Sequence, residues 1–262
     1  MGQFAIGQPV PRTEDPRLLR GGGQYVDDIR LPNECHAYML RTPHAHARVM
    51  SIDTEAARTM PGVIAVYTGA DWVADGHGQH SIDIPRVRRD GSPQFCPIRH
   101  AIEPNVVKVI GDIVAMVVAE SVNQGKDAAE RIVVNYDPLP AITEGIQARE
   151  VGAPVLHEGC PDNESYYHAG GDKEAVEAAL ASAHHVTRLQ TKINRITANT
   201  MEPRNCIGDY DRRFDRYTLY CATQLPHLIR KTLALDVLRV PETAVRIISS
   251  DVGGSFGMKQ AN

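Results

Sequence analysis

Tyr217 to Lys259 constrains the fold of this chain more than any other stretch. Tyr217, Leu219 and Cys221 alternate with Thr218, Tyr220 and Ala222 as in a strand, and Thr223-Gln224-Leu225-Pro226 interrupts the pattern. Pro226 suits the first turn of a helix, in which Leu228, Ile229, Leu233 and Val237 recur at helical spacing. Pro241 ends that run and Val245-Arg246-Ile247-Ile248 resumes as a strand. Strand, helix, strand in this order predicts two parallel strands ending on the same sheet edge, outside which ligands bind in open α/β sheets.

Gln224 and the loop Asp251-Val252-Gly253-Gly254-Ser255-Phe256-Gly257-Met258-Lys259 follow those strand ends, so the spacing predicts that they meet. Adjacent glycines let a ligand approach the backbone and present successive N–H groups to an anion, while Gln224 offers a neutral amide. A plain tight turn is the competing reading. The usual phosphate signatures do not fit: Lys259 is followed by Gln260 rather than Ser or Thr, and the adjacency of Gly253 and Gly254 breaks G-x-G-x-x-G.

Thr223-Gln224-x-Pro226-His227, the loop from Asp251 to Lys259, and Met201-Glu202-Pro203-Arg204 together resemble the large subunits of molybdenum hydroxylases, the xanthine dehydrogenase, aldehyde oxidase and carbon monoxide dehydrogenase family. Gly23-Gln24-Tyr25-Val26-Asp27-Asp28, the run from Arg41 to Val49, Met60-Pro61-Gly62-Val63 and the run from Val114 to Ser121 are similar to the family's hammerhead domain. The resemblance implies an α+β fold in which a hammerhead domain precedes the beginning of an α/β molybdopterin-binding domain. It implies that Gln224, Gly253, Gly254, Ser255, Phe256 and Gly257 bind the cofactor. That cofactor would be molybdopterin in its cytosine dinucleotide form, carrying molybdenum, with 2Fe-2S clusters and FAD on partner subunits. Oxidative hydroxylation of an aldehyde, N-heterocycle, purine or carbon monoxide, with water as oxygen source, is the implied activity.

The expected organisation is an arm over residues 1–20, marked by Pro9, Pro11 and Pro16, a hammerhead domain over 21–140, a linker over 141–171 and an incomplete molybdopterin-binding domain over 172–262. Strands are predicted at Cys35–Arg41, Ala47–Ile52, Val63–Thr68, Val106–Ile110, Ile113–Val118 and Val186–Ile193. Short helices are predicted over Thr54–Thr59, after the capping box Ser121-Val122-Asn123-Gln124, and after Asp172, where Val176, Ala179, Leu180 and Ala183 share a face. His184 and His185 at that helix end read as capping cations. Gly21-Gly22-Gly23 reads as a flexible turn rather than a phosphate cradle.

The long charged stretch Asp71 to Pro104, with His77, His80, Arg86, Arg88 and Arg89, reads as solvated loop, with a partner contact as the alternative. His44 and His46 sit at metal-ligand spacing without a third ligand nearby, so a structural turn is expected. Glu202 is a general base if buried alone, and a structural ion pair with Arg204 is the favoured alternative.

A net charge of −4 argues against nucleic-acid binding. No apolar run is long enough to span a bilayer and no signal peptide is recognisable, so the expected location is cytoplasmic. Cys35, Cys96, Cys160, Cys206 and Cys221 lack C-x-x-C spacing and read as free thiols. The resemblance implies a large subunit that continues for hundreds of residues with its glutamate base beyond Asn262, so no direct metal ligand and no catalytic residue is expected within this chain. The expected partners are a second polypeptide completing the large subunit, an iron–sulfur subunit and an FAD subunit. The alternatives are a truncated, non-catalytic interaction module and a pterin-free anion binder at the Gly253 loop.

Overall fold

The structure is a computed structural model that describes residues 7–79, 85–194 and 196–260. In chain order the elements are α1 (Asp15–Leu18), β1 (His36–Arg41), β2 (Ala47–Asp53), α2 (Glu55–Arg58), β3 (Val63–Thr68) and α3 (Gly69–Ala74). Then come β4 (Val106–Val107), β5 (Ile113–Ala119), α4 (Val122–Ala129), β6 (Val133–Pro138) and α5 (Lys173–Ser182). β7 (Cys206–Asp211), β8 (Arg216–Cys221), α6 (Pro226–Lys231) and β9 (Val245–Ile248) complete the order. They form two compact units, Asn33–Arg195 on one hand and Met1–Pro32 together with Ile196–Asn262 on the other.

The unit Asn33–Arg195 holds two three-stranded sheets, ordered β1-β5-β3 and β4-β2-β6, all pairs antiparallel. β5 is apolar throughout because both its faces are covered. Ala115 and Val117 pack with Ala57, Val66, Ala128, Ala129 and Ile132, whereas Val114, on the opposite face, packs with Ala47 and Val107. Helix α4 starts where Ser121 Oγ accepts the Gln124 N–H at 3.3 Å, and its small Ala128 and Ala129 let it lie close on the sheet. The Gln124 side chain accepts from Ser121 Oγ at 2.6 Å instead of closing the expected box on the backbone.

β6 was not expected from the sequence; it forms because Val133–Pro138 completes the β2 edge. Conversely, Val106–Ile110 is a strand only at Val106–Val107, and Val186–Ile193 is irregular, with Leu189 and Ile193 exposed. A period-2 pattern becomes a strand only where a neighbour takes its backbone hydrogen bonds, and no strand lies beside 186–193 among the described residues.

The stretch 71–104 is less of a loop than expected. α3 occupies its start, capped by Asp71, which accepts from the Thr68 N–H at 2.7 Å and from its hydroxyl at 2.8 Å. Arg86 and Arg89 stack on Tyr166 and Tyr167 at 4.3 and 3.8 Å, and Arg88 pairs with Asp162 at 2.5 Å. These arginines bind the chain's own 162–167 segment, Arg86 and Arg89 while remaining exposed. His77 stacks on Trp72 at 4.7 Å, and His80 lies outside the described residues. His44 stacks on Tyr136 at 4.6 Å, and buried His46 holds the Pro140 carbonyl through Nδ1 at 2.7 Å. Among the described residues no three His, Cys, Asp or Glu side chains gather as a metal-binding group.

α5 is capped by Asp172, which accepts the Ala175 N–H at 2.9 Å; its apolar Val176 and Leu180 are exposed. His185 Nε2 meets Thr187 Oγ1 at 3.1 Å. No helix of the described residues is long and apolar enough to cross a membrane.

In the other unit the sheet order is β7-β8-β9, with β7 and β8 antiparallel and β8 and β9 parallel, Tyr217 opposite Val245 and Tyr220 opposite Ile248. The strand, helix, strand reading holds, with two additions. β7 pairs along the free edge of β8, and the helix after α6 widens into a π-helical stretch, Thr232–Leu238, stopped by Arg239 at φ 58°. Such widened turns are rare in helices and recur near functional sites.

Cut by compactness, the chain divides elsewhere than at residues 20, 140 and 171. Gly21 to Pro32 belongs with the glycine loop rather than with the sheets of the other unit, and α5 falls in the unit of those sheets. The cause for the first is a set of hydrogen bonds from the amino-terminal stretch to residues 250 and 251.

Candidate functional site

β8 runs out through Cys221 into Thr223-Gln224, and β9 runs out through Ser249 into the glycine loop. The two exits are tied together. The Lys259 carbonyl accepts the Gln224 N–H at 2.9 Å and the Thr223 hydroxyl at 3.1 Å, while the Thr223 N–H reaches Ser249 Oγ at 3.4 Å. The predicted meeting of Gln224 with the loop is therefore present, made by backbone and hydroxyl groups, and it leaves the Gln224 side chain exposed with no hydrogen-bond partner among the described residues.

Behind the loop lies a buried ion pair. Lys259 Nζ meets Glu202 Oε2 at 2.9 Å, the two side chains being 1% and 8% exposed. The same carboxylate accepts the Gly253 N–H at 2.7 Å and the Val26 N–H at 3.5 Å, and the Glu202 N–H donates back to the Gly253 carbonyl at 3.2 Å. The expected partner, Arg204, instead donates to the Met258 carbonyl. Residues two apart in sequence are poor candidates for a buried pair when a lysine from the opposite side of the site can enter, and the expectation of a Glu202–Arg204 pair is corrected accordingly.

Gly253 is required by this packing, since a Cβ there would overlap Glu202 Cβ. Gly254 and Gly257 have φ of +100° and +85°, and Phe256 has +48°, so the loop coils through left-handed conformations of the kind that form anion-binding backbone nests. Ser255 holds the turn from inside: its carbonyl accepts the Met258 N–H at 2.8 Å and its hydroxyl accepts the Lys259 N–H at 3.1 Å. Among the described residues the N–H groups of Gly254, Ser255, Phe256 and Gly257 donate to no protein acceptor. The Phe256 ring is 80% exposed beside them.

Asp251, at the start of the loop, accepts from both terminal guanidinium nitrogens of Arg17, at 2.7 and 2.6 Å, and from the Gln24 N–H at 2.7 Å. Those hydrogen bonds, the Arg17 one foremost, hold its carboxyl down at about 2. The Gln24 carbonyl in turn accepts the Ser250 hydroxyl at 2.8 Å. Arg17, Gln24 and Lys259 were not singled out from the sequence as supports of the site. Lys259 alone carried a signal, as the last residue of the loop motif.

The chemistry of this surface is that of an acceptor of anionic oxygen groups: successive unclaimed amide donors, a neutral amide beside them, and no exposed carboxylate among Gln224 and Gly253–Gly257. A glutamine just past the end of β8 and a coiled glycine loop past the end of β9 stand at the sheet edge where ligands bind in open α/β folds, without the glycine spacing of a Walker loop. Residues 20–140 match "Aldehyde oxidase and xanthine dehydrogenase, a/b hammerhead domain", and residues 156–262 match "Molybdopterin cofactor-binding domain". The chain belongs to the molybdenum hydroxylases, as part of a large subunit.

It is 35% identical to the nicotine 6-hydroxylase large subunit of Paenarthrobacter nicotinovorans over 97% of this chain and 30% of that one. It is 33% identical to the carbon monoxide dehydrogenase large chain of Afipia carboxidovorans over 97% of this chain and 31% of that one. Among solved structures, quinoline 2-oxidoreductase from Pseudomonas putida 86 superposes with a TM-score of 0.85 at 34% identity, over 99% of this chain and 32% of that one. The chain thus spans about a third of the length of the relatives it matches.

Proposed function

We propose that Gln224 and Gly253, Gly254, Ser255, Phe256 and Gly257 form one wall of a molybdopterin site, and that the chain contributes this wall to a large subunit that hydroxylates an aldehyde, N-heterocycle, purine or carbon monoxide with oxygen from water. The observation that carries the reading is the run of four unclaimed N–H donors, Gly254 to Gly257, in a loop whose end at Lys259 is hydrogen-bonded to the backbone of Gln224, a residue with a free side-chain amide. Aimed donors that are already fixed cost no reorganisation when an anionic group arrives.

The residues present fit the cofactor. The Gly254–Gly257 amides would hold its anionic oxygens, Gln224 would donate to an oxygen at the metal, and the exposed Phe256 ring would cover an apolar face. When bound, molybdenum supplies Lewis-acid activation of an oxygen and a store for the electron pair removed from substrate. The chain's own residues bind and orient. Glu202 is already engaged by Lys259 and two N–H groups, so it supports the loop and the general base comes from outside these residues.

The cytosine dinucleotide form of the cofactor, a second polypeptide completing the large subunit, and partner subunits carrying 2Fe-2S clusters and FAD belong to the same proposal. They are supported by the likeness to large chains of enzymes such as carbon monoxide dehydrogenase. A cytoplasmic location is part of it as well.

The test is the metal content of the chain purified from its host with its partners retained. Stoichiometric molybdenum, a co-purifying second polypeptide, and loss of turnover with metal retained in Gln224→Ala are the expected results. A folded chain free of molybdenum in the presence of its partners would overturn the reading in favour of a truncated, non-catalytic module.

A further inference from the structure

Cys206 opens β7 and Cys221 closes β8, and the two stand directly opposite each other in the antiparallel register. Opposed residues of such a pair project to the same face, with Cα atoms about 4.5 or 5.5 Å apart according to the type of pair. Either spacing lies inside the range of about 4.4–6.8 Å that a disulfide spans. Both cysteines are free, and neither thiol has a hydrogen-bond partner among the described residues. The other cysteines have no such counterpart: Cys160 donates to Asp162 at 3.5 Å, and Cys35 and Cys96 are exposed outside any strand register.

We propose that Cys206 and Cys221 are a modification site, closing an intramolecular cross-strand disulfide when the chain meets a peroxide. Cys206, the exposed member, reacts first: its thiolate breaks the O–O bond, forming an S–O bond and releasing one water after protonation. The Cys221 thiolate then displaces hydroxide from the Cys206 sulfur, forming the S–S bond and a second water. Two thiols lose two electrons and two protons, and one peroxide becomes two waters. Burial pushes the Cys221 thiol up to about 11, with the nearby Cys206 thiol adding to the rise, and desolvation raises the Cys206 thiol as well, so both steps are slow at neutral pH and quicken as pH increases.

The bond would tie β7 to the end of β8 three residues before Gln224, so it fixes the strand exit that presents that amide. The site stands on strand register and does not depend on the cofactor reading. The experiment treats the full chain, with its partners retained, with hydrogen peroxide at two pH values. It then maps the cysteines by non-reducing proteolysis and mass spectrometry. A Cys206–Cys221 linked peptide in excess over every other pairing, formed faster at the higher pH, reversed by dithiothreitol and absent when the chain is unfolded before oxidation, supports the proposal. Cys206→Ser removes an exposed thiol, keeps the fold and should abolish the linkage. Oxidation confined to Cys35 and Cys96, Cys206 accumulating as sulfinic acid while Cys221 stays reduced, or equal cross-linking in the unfolded chain would overturn it.

Discussion

Replacing Lys259 by methionine probes the support beneath the glycine loop. The substitution keeps most of the side-chain volume and removes the cation that pairs with Glu202 among the described residues, leaving a carboxylate that is 8% exposed with one N–H donor at 2.7 Å and another at 3.5 Å. Breaking a buried pair from one side costs about 3–5 kcal/mol, because the remaining charge keeps its desolvation penalty without its partner. Set against a domain stability of about 5–15 kcal/mol, that is about a fifth of the total or more. Glu202→Gln strands the lysine in the same way. The double variant Lys259→Met with Glu202→Gln removes both charges and should cost less than the sum of the singles, by about 1–3 kcal/mol of coupling. Two units call for two reporters. The chain's single tryptophan, Trp72, sits in the unit Asn33–Arg195, so its fluorescence follows that unit, while hydrogen exchange at the β8 amides follows the unit containing Lys259. Lys259→Met should accelerate β8 exchange strongly and leave the Trp72 transition in place. A loss below about 1 kcal/mol, or strictly additive single variants, would show a solvated pair of the surface kind and refute the reasoning.

Gly253→Ala should destabilise the same unit by about 1–3 kcal/mol, read by β8 exchange, because its Cβ collides with Glu202 Cβ, an atom fixed to the main chain rather than the far end of a flexible side chain. Asp251 has a folded-state pKa depressed to about 2, so its contribution is complete above the ordinary carboxylate range near 4 and is lost as pH falls through about 2. Asp251→Asn should therefore flatten that limb of an acid titration of stability, and an unchanged limb would remove the Arg17–Asp251 pair from the account. Gln224→Ala deletes an exposed side chain without a partner, so stability should stay within about 0.5 kcal/mol. Turnover of the assembled enzyme should fall about 10²-fold, the cost of one preorganised donor.

The parts legible in sequence were those whose cause is local. β8, α6 and β9 follow from alternation, from Pro226 at a helix start and from Pro241 after its end. Ser121 and Asp172 cap helices because a cap needs only the residues two or three positions on. What was not legible depends on partners distant in the chain. β6 and β7 exist because β2 and β8 each offer an edge, whereas 186–193 has a comparable pattern and no edge to join. The Glu202 pairing is of the same kind. Arg204 is two residues away, yet Lys259, 57 positions on, reaches the carboxylate, and Arg17 crosses 234 positions to Asp251. Charge type and spacing name candidates for such pairs, and only the packed chain chooses among them.

The ion pair also explains why the loop presents donors at all. Several backbone donors of the glycine loop are already used: the Gly253 N–H by Glu202, the Met258 N–H by the Ser255 carbonyl, and the Lys259 N–H by the Ser255 hydroxyl. With the ends fixed in this way and Gly254 and Gly257 at positive φ, the four intervening N–H groups donate to no protein acceptor among the described residues and are left for a ligand. A carboxylate that already holds an ammonium and a backbone amide on one oxygen is poorly placed to accept a proton from a substrate. The structural role favoured for Glu202 on sequence grounds thus holds with Lys259 in place of Arg204 as its partner, and makes it a positioning residue whose charge is used up in shaping the loop.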